Sequence, residues 1–487
     1  MSTEPESTEE APATSAAAAI AEAAGRIDLS GTRVVHVVGV GGAGMSAIAE
    51  VLAAMGHRVS GSDLKESPGL ERLRALGIDV TIGHAGDNVP DDADFVAVST
   101  AIPARNTEVR AAEARGVPVV RRAELLAAVA ATRRALAVAG THGKTTTSSM
   151  LALVLVEAGE RPSFIIGGDV NEIGSGAAWD SGEWFVIEAD ESDGSGFALP
   201  RHGCIVTNVE PDHLEFHGSV EALHAAFASF LAATPGPRVV CADDPVASAL
   251  GRAHDAVTYG TAADADYRLV DLQSGRGGVR FDLHRRGQLL GEVVLPVPGA
   301  HNARNAAAAV TLALELGVDF APAAAALARF AGVARRFQFR GEAAGVTFVD
   351  DYAHLPTEVG AALGAALDGG WSRVVVVFQP HRYSRTEALW PEFADAFEGA
   401  DAVVITDVYA SGEMPRPGIS GKLVVDAVLD AHPHRQVAYL PRRRDVVDYL
   451  TTRLRPGDLC LTLGAGDLTA APDEVLDRLA LADQPAS

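Results

Sequence analysis

Lysine and cysteine are both scarce in this chain of 487 residues, and each scarcity excludes a class of protein. The chain has three lysines, 40 basic residues against 64 acidic ones, and a formal net charge of −24. A protein that binds nucleic acid or an anionic membrane needs a large basic face, which this composition does not supply. We therefore expect no nucleic-acid partner and no membrane partner. Any anionic ligand must be held locally, by glycine loops, helix N-termini and a few arginines.

The three cysteines are too few and too scattered for a disulfide framework. Cys204 and Cys460 lie in apolar runs, which predicts buried, reduced thiols and a cytoplasmic protein. The first 26 residues contain no basic segment ahead of an apolar stretch, so we expect neither a signal peptide nor a membrane span there. Their acidic and alanine-rich composition predicts a disordered tail over residues 1–28.

Short apolar runs alternate with helical patterns along almost the whole chain. Runs such as 33–40 and 373–378 are continuous in apolar residues, which is typical of parallel strands covered on both faces. This alternation predicts an α/β architecture. Residues 264–298 differ, because their pattern favours hairpin strands that form a small antiparallel insert. Breaks in the alternation predict three domains after the tail, over residues 29–131, 132–333 and 334–487.

The first glycine loop, over residues 39–44, follows a predicted strand and opens a predicted helix. Asp63 stands 19 residues after Gly44, at the end of the next strand. Glycines let the backbone approach a diphosphate, the helix N-terminus stabilises its charge, and the acid can bind ribose hydroxyls. The pattern predicts a nucleotide diphosphate site and does not by itself specify nicotinamide. A purely structural glycine turn is the alternative.

The second glycine loop has the sequence GTHGKTTT and begins at Gly140, again between a strand and a helix. Its backbone amides can surround phosphates, Lys144 can neutralise a transferring phosphoryl group, and Thr145 can hold Mg²⁺. The loop is shorter than the general phosphate-binding loop, because Val138 stands where that loop has its first glycine.

Acids and a histidine follow two further predicted strands of the same domain. One cluster is EADESD, which begins at Glu188, and the other is NVEPDH, which ends at His213. Carboxyl ends of parallel strands line the crevice where ligands bind. Hard oxygens with one imidazole suit Mg²⁺ or Mn²⁺ beside nucleotide phosphates, whereas solvated loop acids are the alternative.

Four groups of polar residues remain between residue 299 and the end of the chain. His301 and Asn305 open a helix, where they could bind an adenine edge, and helix capping by Asn302 alone is the alternative. The other groups stand at a linker and at two strand ends, where arginines suit carboxylate and phosphate recognition. Their members are Arg336, Asp351, Tyr352, His354, His381, Arg382 and Arg385.

Taken in order, the motifs GVGGAGMS, GTHGKTT, EADESD, TNVEPDHL, HNARN, RRFQFRGE, DDYAH, FQPHRYSRT, VYASGE and GAGD resemble those of the Mur ligase family. The resemblance spans about residues 33 to 469. It implies a Rossmann-like UDP-binding domain, a central P-loop ATPase-type domain and a C-terminal Rossmann-like domain. It also implies ATP-dependent ligation of L-alanine to the carboxylate of UDP-N-acetylmuramate through an acyl phosphate, with Mg²⁺ or Mn²⁺.

The resemblance also implies a role for each candidate residue. The implied catalytic residues are Lys144, His213, Arg336 and His354. The implied ATP contacts are Gly140, Thr141, His142, Gly143, Lys144, Thr145, Thr146, His301, Asn305 and Asp351. The implied UDP-sugar contacts are Gly39, Gly41, Gly42, Ala43, Gly44, Ser62 and Asp63. Tyr352, His381, Arg382 and Arg385 would line the amino-acid and lactyl end, and Thr145, Glu188 and His213 would hold metal.

One position departs from the family pattern, since Leu355 stands where the family usually has a second histidine after His354. The sequence leaves three other functions open: a ligase that recycles a preformed tripeptide, an NAD-dependent oxidoreductase with an accessory ATPase domain, and a nucleotide-binding regulator. The oligomeric state and the base that deprotonates the amine are also left open.

Overall fold

The computed structural model describes residues 12–171 and 173–482, and it has the α/β architecture that the sequence predicts. The chain forms two compact units. The first comprises residues up to 269 together with 283–291 and 304–327, and the second comprises 270–282, 292–303 and the chain from 328 onward.

The first sheet has five parallel strands in the order β3-β2-β1-β4-β5. Its strands are β1 (Val34–Val38), β2 (Arg58–Asp63), β3 (Asp79–Ile82), β4 (Phe95–Val98) and β5 (Val119–Arg121). The helices around it are α1 (Pro12–Ala24), α2 (Ala43–Ala54), α3 (Pro68–Ala75), α4 (Thr107–Ala114) and α5 (Arg122–Ala130). The strand order reverses between β1 and β4, so the loop after β1 lies at a switch point, where α/β sheets bind ligands.

Residues 12–28 do not form the disordered tail that the composition predicts. Residues 12–24 form α1, which packs against α5 and against the turn at Ser195–Ala198. Ala24 and Leu29 are each 7% exposed, and Ile20 and Ile27 pack on the same core. The prediction was wrong there, because these few apolar side chains pack into the core of the first unit. Residues 1–11 lie outside the described part of the chain.

The second sheet has ten strands in the order β15-β14-β13-β12-β11-β10-β6-β9-β7-β8. They are β6 (Arg134–Ala139), β7 (Ser163–Val170), β8 (Ser175–Ala178), β9 (Trp184–Glu188), β10 (Gly203–Val206), β11 (Arg238–Cys241), β12 (Val257–Gly260), β13 (Tyr267–Gly275), β14 (Gly278–Arg285) and β15 (Gln288–Leu295). The helices are α6 (Lys144–Glu157), α7 (Leu214–His217), α8 (Val220–Ala232), α9 (Pro245–Ala253), α10 (Ala300–Glu315) and α11 (Phe320–Leu327).

Strand β6 lies between β9 and β10 and pairs with both in parallel. The second glycine loop follows β6, and the two acid clusters follow β9 and β10, so all three segments leave the same edge of the sheet. Strands β13, β14 and β15 are joined by two-residue turns, a connection that only antiparallel neighbours can use. They are the hairpin insert expected at residues 264–298.

The third sheet has six strands in the order β16-β17-β21-β18-β19-β20, with only β16 antiparallel to its neighbour. The strands are β16 (Gln338–Ala343), β17 (Val346–Asp351), β18 (Arg373–Phe378), β19 (Ala402–Ile405), β20 (Val437–Tyr439) and β21 (Asp458–Leu463). The helices are α12 (Pro356–Leu367), α13 (Tyr383–Leu389), α14 (Lys422–Ala431), α15 (Arg443–Arg453) and α16 (Ala471–Ala482).

The cysteines and the long apolar segments are accounted for by the cores of these sheets. Cys204, Cys241 and Cys460 are buried free thiols, as the sequence predicts. Burial raises the pKa of the Cys204 thiol to about 11, so it stays protonated and unreactive. Within residues 12–171 and 173–482, no helix is both long enough and apolar enough to cross a bilayer.

Candidate functional site

The first glycine loop is held by the end of β2. The amides of Gly39 and Val40 donate to the carbonyl oxygen of Ser62, at 2.8 and 3.0 Å. The amide of Gly41 donates to Oδ2 of Asp63 at 2.9 Å. A Cβ at Gly41 would also lie 2.9 Å from that oxygen, so the close approach of loop and carboxylate requires glycine. Asp63 therefore anchors the loop.

Ser62 does not present its hydroxyl to this loop. Its side chain is fully buried, and Oγ donates to Oε2 of Glu108 at 2.6 Å and lies 2.9 Å from Nδ1 of His84. The expected contact between the Ser62 side chain and a UDP-sugar is therefore not supported. Ser62 supports the loop through its backbone carbonyl. Its side chain is buried, which a sequence motif does not reveal.

The second glycine loop is built around two glycines with positive φ, Gly140 at 128° and Gly143 at 80°. A Cβ at Gly140 would collide with the hydroxyl of Thr207, and one at Gly143 would lie 2.6 Å from Oδ1 of Asn305. Both positions therefore exclude larger residues. Asn305, in the first turns of α10, therefore lies directly against the loop.

Backbone and side-chain contacts with the segment after β10 complete the loop. The amide of His142 donates to Oδ1 of Asn208 at 2.8 Å, and Nε2 of His142 lies 3.2 Å from Oε2 of Glu210. Thr141 accepts a hydrogen bond from the amide of Glu210 at 2.9 Å. Loop and segment are thus fixed to one another at neighbouring strand ends. Thr146 is buried in the first turn of α6.

Lys144 is paired with Glu191 in this structure. Its Nζ donates to both carboxylate oxygens of Glu191, at 3.0 and 2.9 Å, and to the carbonyl oxygen of Gly140 at 2.7 Å. The Glu191 side chain is only 2% exposed. Burial alone would lower the pKa of Lys144, but the charges of Glu191 and Asp190 outweigh it and raise the pKa above its ordinary value. Lys144 is therefore a fixed cation at the mouth of the loop.

The three candidate metal ligands do not come together as one set. Oγ1 of Thr145 donates to Oε2 of Glu188 at 3.1 Å, and the other Glu188 oxygen accepts from the amide of Gly167 at 2.6 Å. By contrast, Nε2 of His213 lies 3.3 Å from Oδ2 of Asp212, and its Nδ1 lies 3.6 Å from Oε1 of Glu215. In the described part of the chain, no three His, Cys, Asp or Glu side chains form a group able to hold a metal ion. The sequence expectation places His213 at a second metal, with nearby acids such as Glu188, water and substrate oxygens, and this assignment stays a prediction.

A cavity of about 430 Å³ connects the first glycine loop with the acids after β9. Its lining includes Gly41, Gly44 and Arg122 together with Glu188 and Asp190. A Cβ at Gly44 would lie 3.1 Å from Nη1 of Arg122. The cavity thus has an arginine next to a glycine loop, with carboxylates in the same lining.

The candidate residues of the second unit form a cluster of their own. Nδ1 of His354 lies 3.0 Å from the carbonyl oxygen of Tyr352, and the rings of His354 and His381 are 5.6 Å apart. Nη1 of Arg385 lies 3.2 Å from Nδ1 of His381. The guanidinium of Arg336 lies 5.1 Å from the ring centre of Tyr352. Five of the expected residues therefore meet at the carboxyl ends of β17 and β18.

Burial shifts the charges in this cluster. It lowers the pKa of His381 to about 4, with His354 and Arg385 acting in the same direction, so His381 is neutral near pH 7 and can accept from Arg385. Burial raises the pKa of Asp351 to about 6 against the opposing charge of Arg336. The two oxygens of Asp351 accept from the amides of Phe337 and Ala353, both at 2.7 Å.

Arg382, His301 and Leu355 each have different surroundings. Arg382 has a φ of 65°, and among the described residues no group bonds to its buried Nε. His301 lies against Gly299 in the second unit, where a Cβ at that glycine would be 2.6 Å from the ring. Leu355, which replaces the family's second histidine, is 6% exposed.

Sequence reasoning missed Arg122, the pairing of Glu191, and Glu413. The two Glu413 oxygens accept hydrogen bonds from the backbone amide of Ser384, at 2.9 Å, and from its hydroxyl, at 2.5 Å, and so fix the start of α13. Arg122 directly follows β5, so its position at a strand end was the signal that could have identified it. Nothing in the spacing of EADESD indicates which acid meets Lys144.

Three family models match the chain in sequence. Residues 34–134 match "Mur ligase family, catalytic domain", residues 138–313 match "Mur ligase middle domain", and residues 335–466 match "Mur ligase, glutamate ligase domain".

Curated proteins and solved structures resemble the chain over nearly its whole length. A protein of Pelotomaculum thermopropionicum named UDP-N-acetylmuramate–L-alanine ligase is 47% identical over 92% of this chain and 98% of its own length. One of the same name from Acidothermus cellulolyticus is 49% identical over 91% of this chain and 94% of its own. The crystal structure of the UDP-N-acetylmuramate–alanine ligase of Thermotoga maritima matches with a TM-score of 0.78 and 30% identity, covering 93% of this chain and all of that one.

Proposed function

The chain belongs to the Mur ligase family, and from that premise we propose that it joins L-alanine to the carboxylate of UDP-N-acetylmuramate at the expense of ATP. The observation that carries the proposal is the 47–49% identity, over about nine-tenths of the chain, to proteins named for this reaction. The geometry supports it, since a phosphate-binding loop and a cavity with carboxylates share the first unit.

The reaction needs an activated carboxylate, because a carboxylate is a poor electrophile. A carboxylate oxygen attacks the γ-phosphorus of ATP, ADP leaves, and an acyl phosphate forms. The neutral amine of alanine then attacks the carbonyl carbon, and inorganic phosphate leaves with the bonding electrons. Both steps spread negative charge over oxygens, so the enzyme contributes mainly positioning and fixed positive charge.

Lys144 is the cation that we assign to the transferring phosphoryl group. The loop of Gly140 and Gly143 exposes backbone amides for the other phosphate oxygens, and Asn305 lies beside it. When phosphate binds, the Lys144 ammonium must give up some or all of its hydrogen bonds to Glu191. The reason is that phosphate and carboxylate would accept from the same three N–H groups. Nucleotide binding should therefore change the contacts of Glu191.

Thr145 and Glu188 have the donors that Mg²⁺ prefers, a hydroxyl and a carboxylate 3.1 Å apart beside the loop. We assign them to an Mg²⁺ ion, which when bound would neutralise charge on the ATP phosphates. We assign no metal to His213 on its present side-chain partners. Its place beside Asp212 and near Asp190 suits a group that orders the acid segments after β9 and β10.

The cavity from the first glycine loop to Glu188 and Asp190 has the lining for the diphosphate and the sugar of the UDP-sugar. The diphosphate would lie against Gly41 and Gly44 with Arg122 as its cation, and the lactyl carboxylate would point toward the second loop. In the second unit we assign Arg382, Arg385 and His381 to the carboxylate of alanine, with Arg336, Tyr352 and His354 beside them. Asp351 and His301 are assigned to ATP.

The tripeptide-recycling reaction is the nearest alternative, and an assay of phosphate release decides between the two. We expect release with UDP-N-acetylmuramate and L-alanine, with no comparable release when L-alanine is replaced by L-Ala-γ-D-Glu-meso-diaminopimelate. Glycine and L-serine should be slower, and the assay measures by how much. Turnover with the tripeptide but not with alanine would contradict the proposal, as would nicotinamide binding in place of UDP-sugar binding.

We also propose the domain limits 29–131, 132–333 and 334–487 and a cytoplasmic location. The three buried free thiols support the location, since a reducing compartment preserves them. The three sheets and the three family matches support the limits: the boundary after residue 131 lies close to the end of the first match, at 134, and the boundary after residue 333 lies close to the start of the third, at 335.

A further inference from the structure

A buried polar cluster lies beneath the first glycine loop, where a core of valine and isoleucine would be ordinary. Its centre is Glu108, in the first turn of α4, whose side chain is 0% exposed. One carboxylate oxygen accepts from Nδ2 of Asn88 at 2.6 Å, and the other accepts from Oγ of Ser62 at 2.6 Å. The same second oxygen lies 3.1 Å from Nδ1 of His84.

Glu108 is ionised despite its burial. Burial alone would raise its pKa, but polar contacts with His36, Ser62 and Asn88 outweigh that effect and lower the pKa to about 2. Burying a carboxylate costs free energy that its hydrogen bonds must offset. Apolar side chains of similar volume would fill this part of the core without that cost. The arrangement suits a function beyond packing.

The hydrogen bonds in the cluster fix the tautomer of His84. An ionised carboxylate has no proton to donate, and the single proton of Ser62 points to Glu108. The proton between the His84 ring and these two oxygens must therefore be carried by Nδ1 of His84. In the neutral ring Nε2 is then unprotonated, so it is a hydrogen-bond acceptor.

That acceptor reaches the surface. Within the described residues, no group bonds to Nε2 of His84. Two other ring nitrogens without a partner, Nε2 of His36 and Nε2 of His57, are buried, whereas Nε2 of His84 is not. The His84 side chain is 14% exposed. The ring is thus held from one side by Ser62 and Glu108 and open on the other.

The position of His84 relates it to the nucleotide loop. It follows β3, the amide of Gly83 donates to the carbonyl of Asp63 at 2.8 Å, and Ser62 is the residue whose carbonyl holds Gly39 and Val40. In this sheet order the diphosphate lies over β1 and the ribose near the end of β2. The end of β3 is one strand further out, on the nucleoside side.

We propose that His84 is a further nucleotide-contact residue, whose Nε2 accepts a hydrogen bond from the uridine of the UDP-sugar, and that Glu108 is the positioning residue that sets its tautomer. The inference rests on the proposed function for the identity of the nucleotide. Two groups of uridine have the required donor chemistry, the N3–H of uracil and the ribose hydroxyls.

Binding of UDP, measured by calorimetry, tests the contact. His84→Leu should weaken UDP binding about tenfold, the usual effect of losing one ligand hydrogen bond, and leave the affinity for ATP and kcat at saturating UDP-sugar unchanged. Ser60→Ala removes a hydroxyl that bonds His36 in the same cluster, and it should leave UDP binding unchanged. Equal UDP affinity in wild type and His84→Leu overturns the inference, while failure of the wild type to bind UDP overturns the proposed function instead.

Analogues identify the donor. In the wild type, 3-methyluridine diphosphate or a deoxyribose analogue should bind about tenfold more weakly, whichever lacks the bonded donor, and His84→Leu should show no such difference. A loss of the same size in both proteins for every analogue contradicts the contact.

Histidine ¹⁵N spectra test the role of Glu108 without any substrate. The His84 signal, assigned by its absence in His84→Leu, should show the proton on Nδ1 in the wild type. In Glu108→Gln the amide can donate to Nδ1, so the proton should move to Nε2 and UDP binding should weaken as in His84→Leu. An unchanged tautomer with unchanged affinity in a folded Glu108→Gln overturns the positioning role. If that variant does not fold, a wild-type signal with the proton on Nε2 overturns it equally.

Discussion

The pair of Lys144 and Glu191 links the stability of the first unit to its chemistry. Lys144→Ala would leave the Glu191 carboxylate buried and without its cation, so we expect loss of activity together with a fall of up to about 3 kcal/mol in the free energy of unfolding. Lys144→Met with Glu191→Gln removes both charges and should recover most of the stability but no ligation. Denaturant unfolding and phosphate release measure the two effects.

The chain offers a matched control for this prediction. Lys422 pairs with Asp426 on the surface of α14, with side chains 63% and 47% exposed. Lys422→Ala should therefore cost less than about 0.5 kcal/mol. A stability loss in Lys144→Ala no larger than that of Lys422→Ala would show that Glu191 does not depend on its partner.

His381 makes the second unit sensitive to acid. Its pKa of about 4 in the folded chain is below the usual value of about 6.5, so between these values the unfolded chain binds a proton that the folded chain does not. The contribution of His381 is complete above pH 6.5 and is lost as the pH falls through 4, by about 3 kcal/mol at most. His381→Gln keeps an acceptor for Arg385 and should flatten the decline in stability between pH 7 and 4.5.

Denaturant midpoints at both pH values provide the measurement, with His434→Gln as the control, since His434 is exposed in the same part of the chain. If His381→Gln and His434→Gln lose stability with the same steepness as the wild type, another group controls the acid response. His354 is the next residue to change, because burial lowers its pKa as well.

At the scale of single residues, the sequence identifies positions far better than it identifies partners. Glycine loops and strand ends indicated Lys144, Thr145 and the cluster around His381, because residue type and spacing already determine where they stand. Ser62 was expected among the UDP-sugar contacts, and its hydroxyl lies in the core, bonded to Glu108. Which acid meets Lys144, and whether His213 reaches Glu188, depends on side-chain directions that no motif contains.

At the scale of elements, the apolar runs predicted most central strands because a strand covered on both faces is continuous in valine and isoleucine. Strand β18, with the sequence RVVVVF, is buried at five of its six positions. The edge strand β3 was not predicted, for the opposite reason. Its sequence, DVTI, has no continuous apolar run, because only one of its four residues is buried. The pattern of residues 386–398 predicts a helix over that range, but α13 ends at Leu389, where a 3₁₀ turn containing Pro391 begins.

The helix α1 offers a prediction at this scale. Leu29 follows α1 and joins its core contact with Ala24, and it is 7% exposed. Leu29→Ala should lower the free energy of unfolding by about 2–4 kcal/mol, because it leaves a cavity under α1. Leu64→Ala, at a side chain 67% exposed, should change it by less than about 0.5 kcal/mol. Equal, small effects from the two variants would mean that the buried Leu29 side chain does not stabilise this core.

At the scale of the whole molecule, the sequence indicates the order of the domains along the chain but not which strands pair within each sheet. The alternation of strands and helices indicated α/β architecture, and the three family matches follow one another in the order of the proposed domains. The ten-stranded sheet could not be foreseen, because the pairing of β12 with β13 joins the hairpin insert to the parallel strands. Such pairing depends on contacts between segments and not on the pattern within either one.

The net charge of −24 leads to a last prediction, on the rate at which the protein meets its substrates. ATP and the UDP-sugar are both polyanions, so the field of the protein repels them until they come close to Lys144 or Arg122. The Debye length falls from about 30 Å at 0.01 M salt to about 8 Å at 0.15 M, which screens that repulsion more than the short-range attraction. The association rate of a fluorescent ATP analogue, measured by stopped flow at constant free Mg²⁺, should therefore rise with added KCl. The KM for alanine, a zwitterion, serves as the control and should hardly change. An ATP association rate that falls with salt would mean that the local cations, and not the net charge, govern the approach.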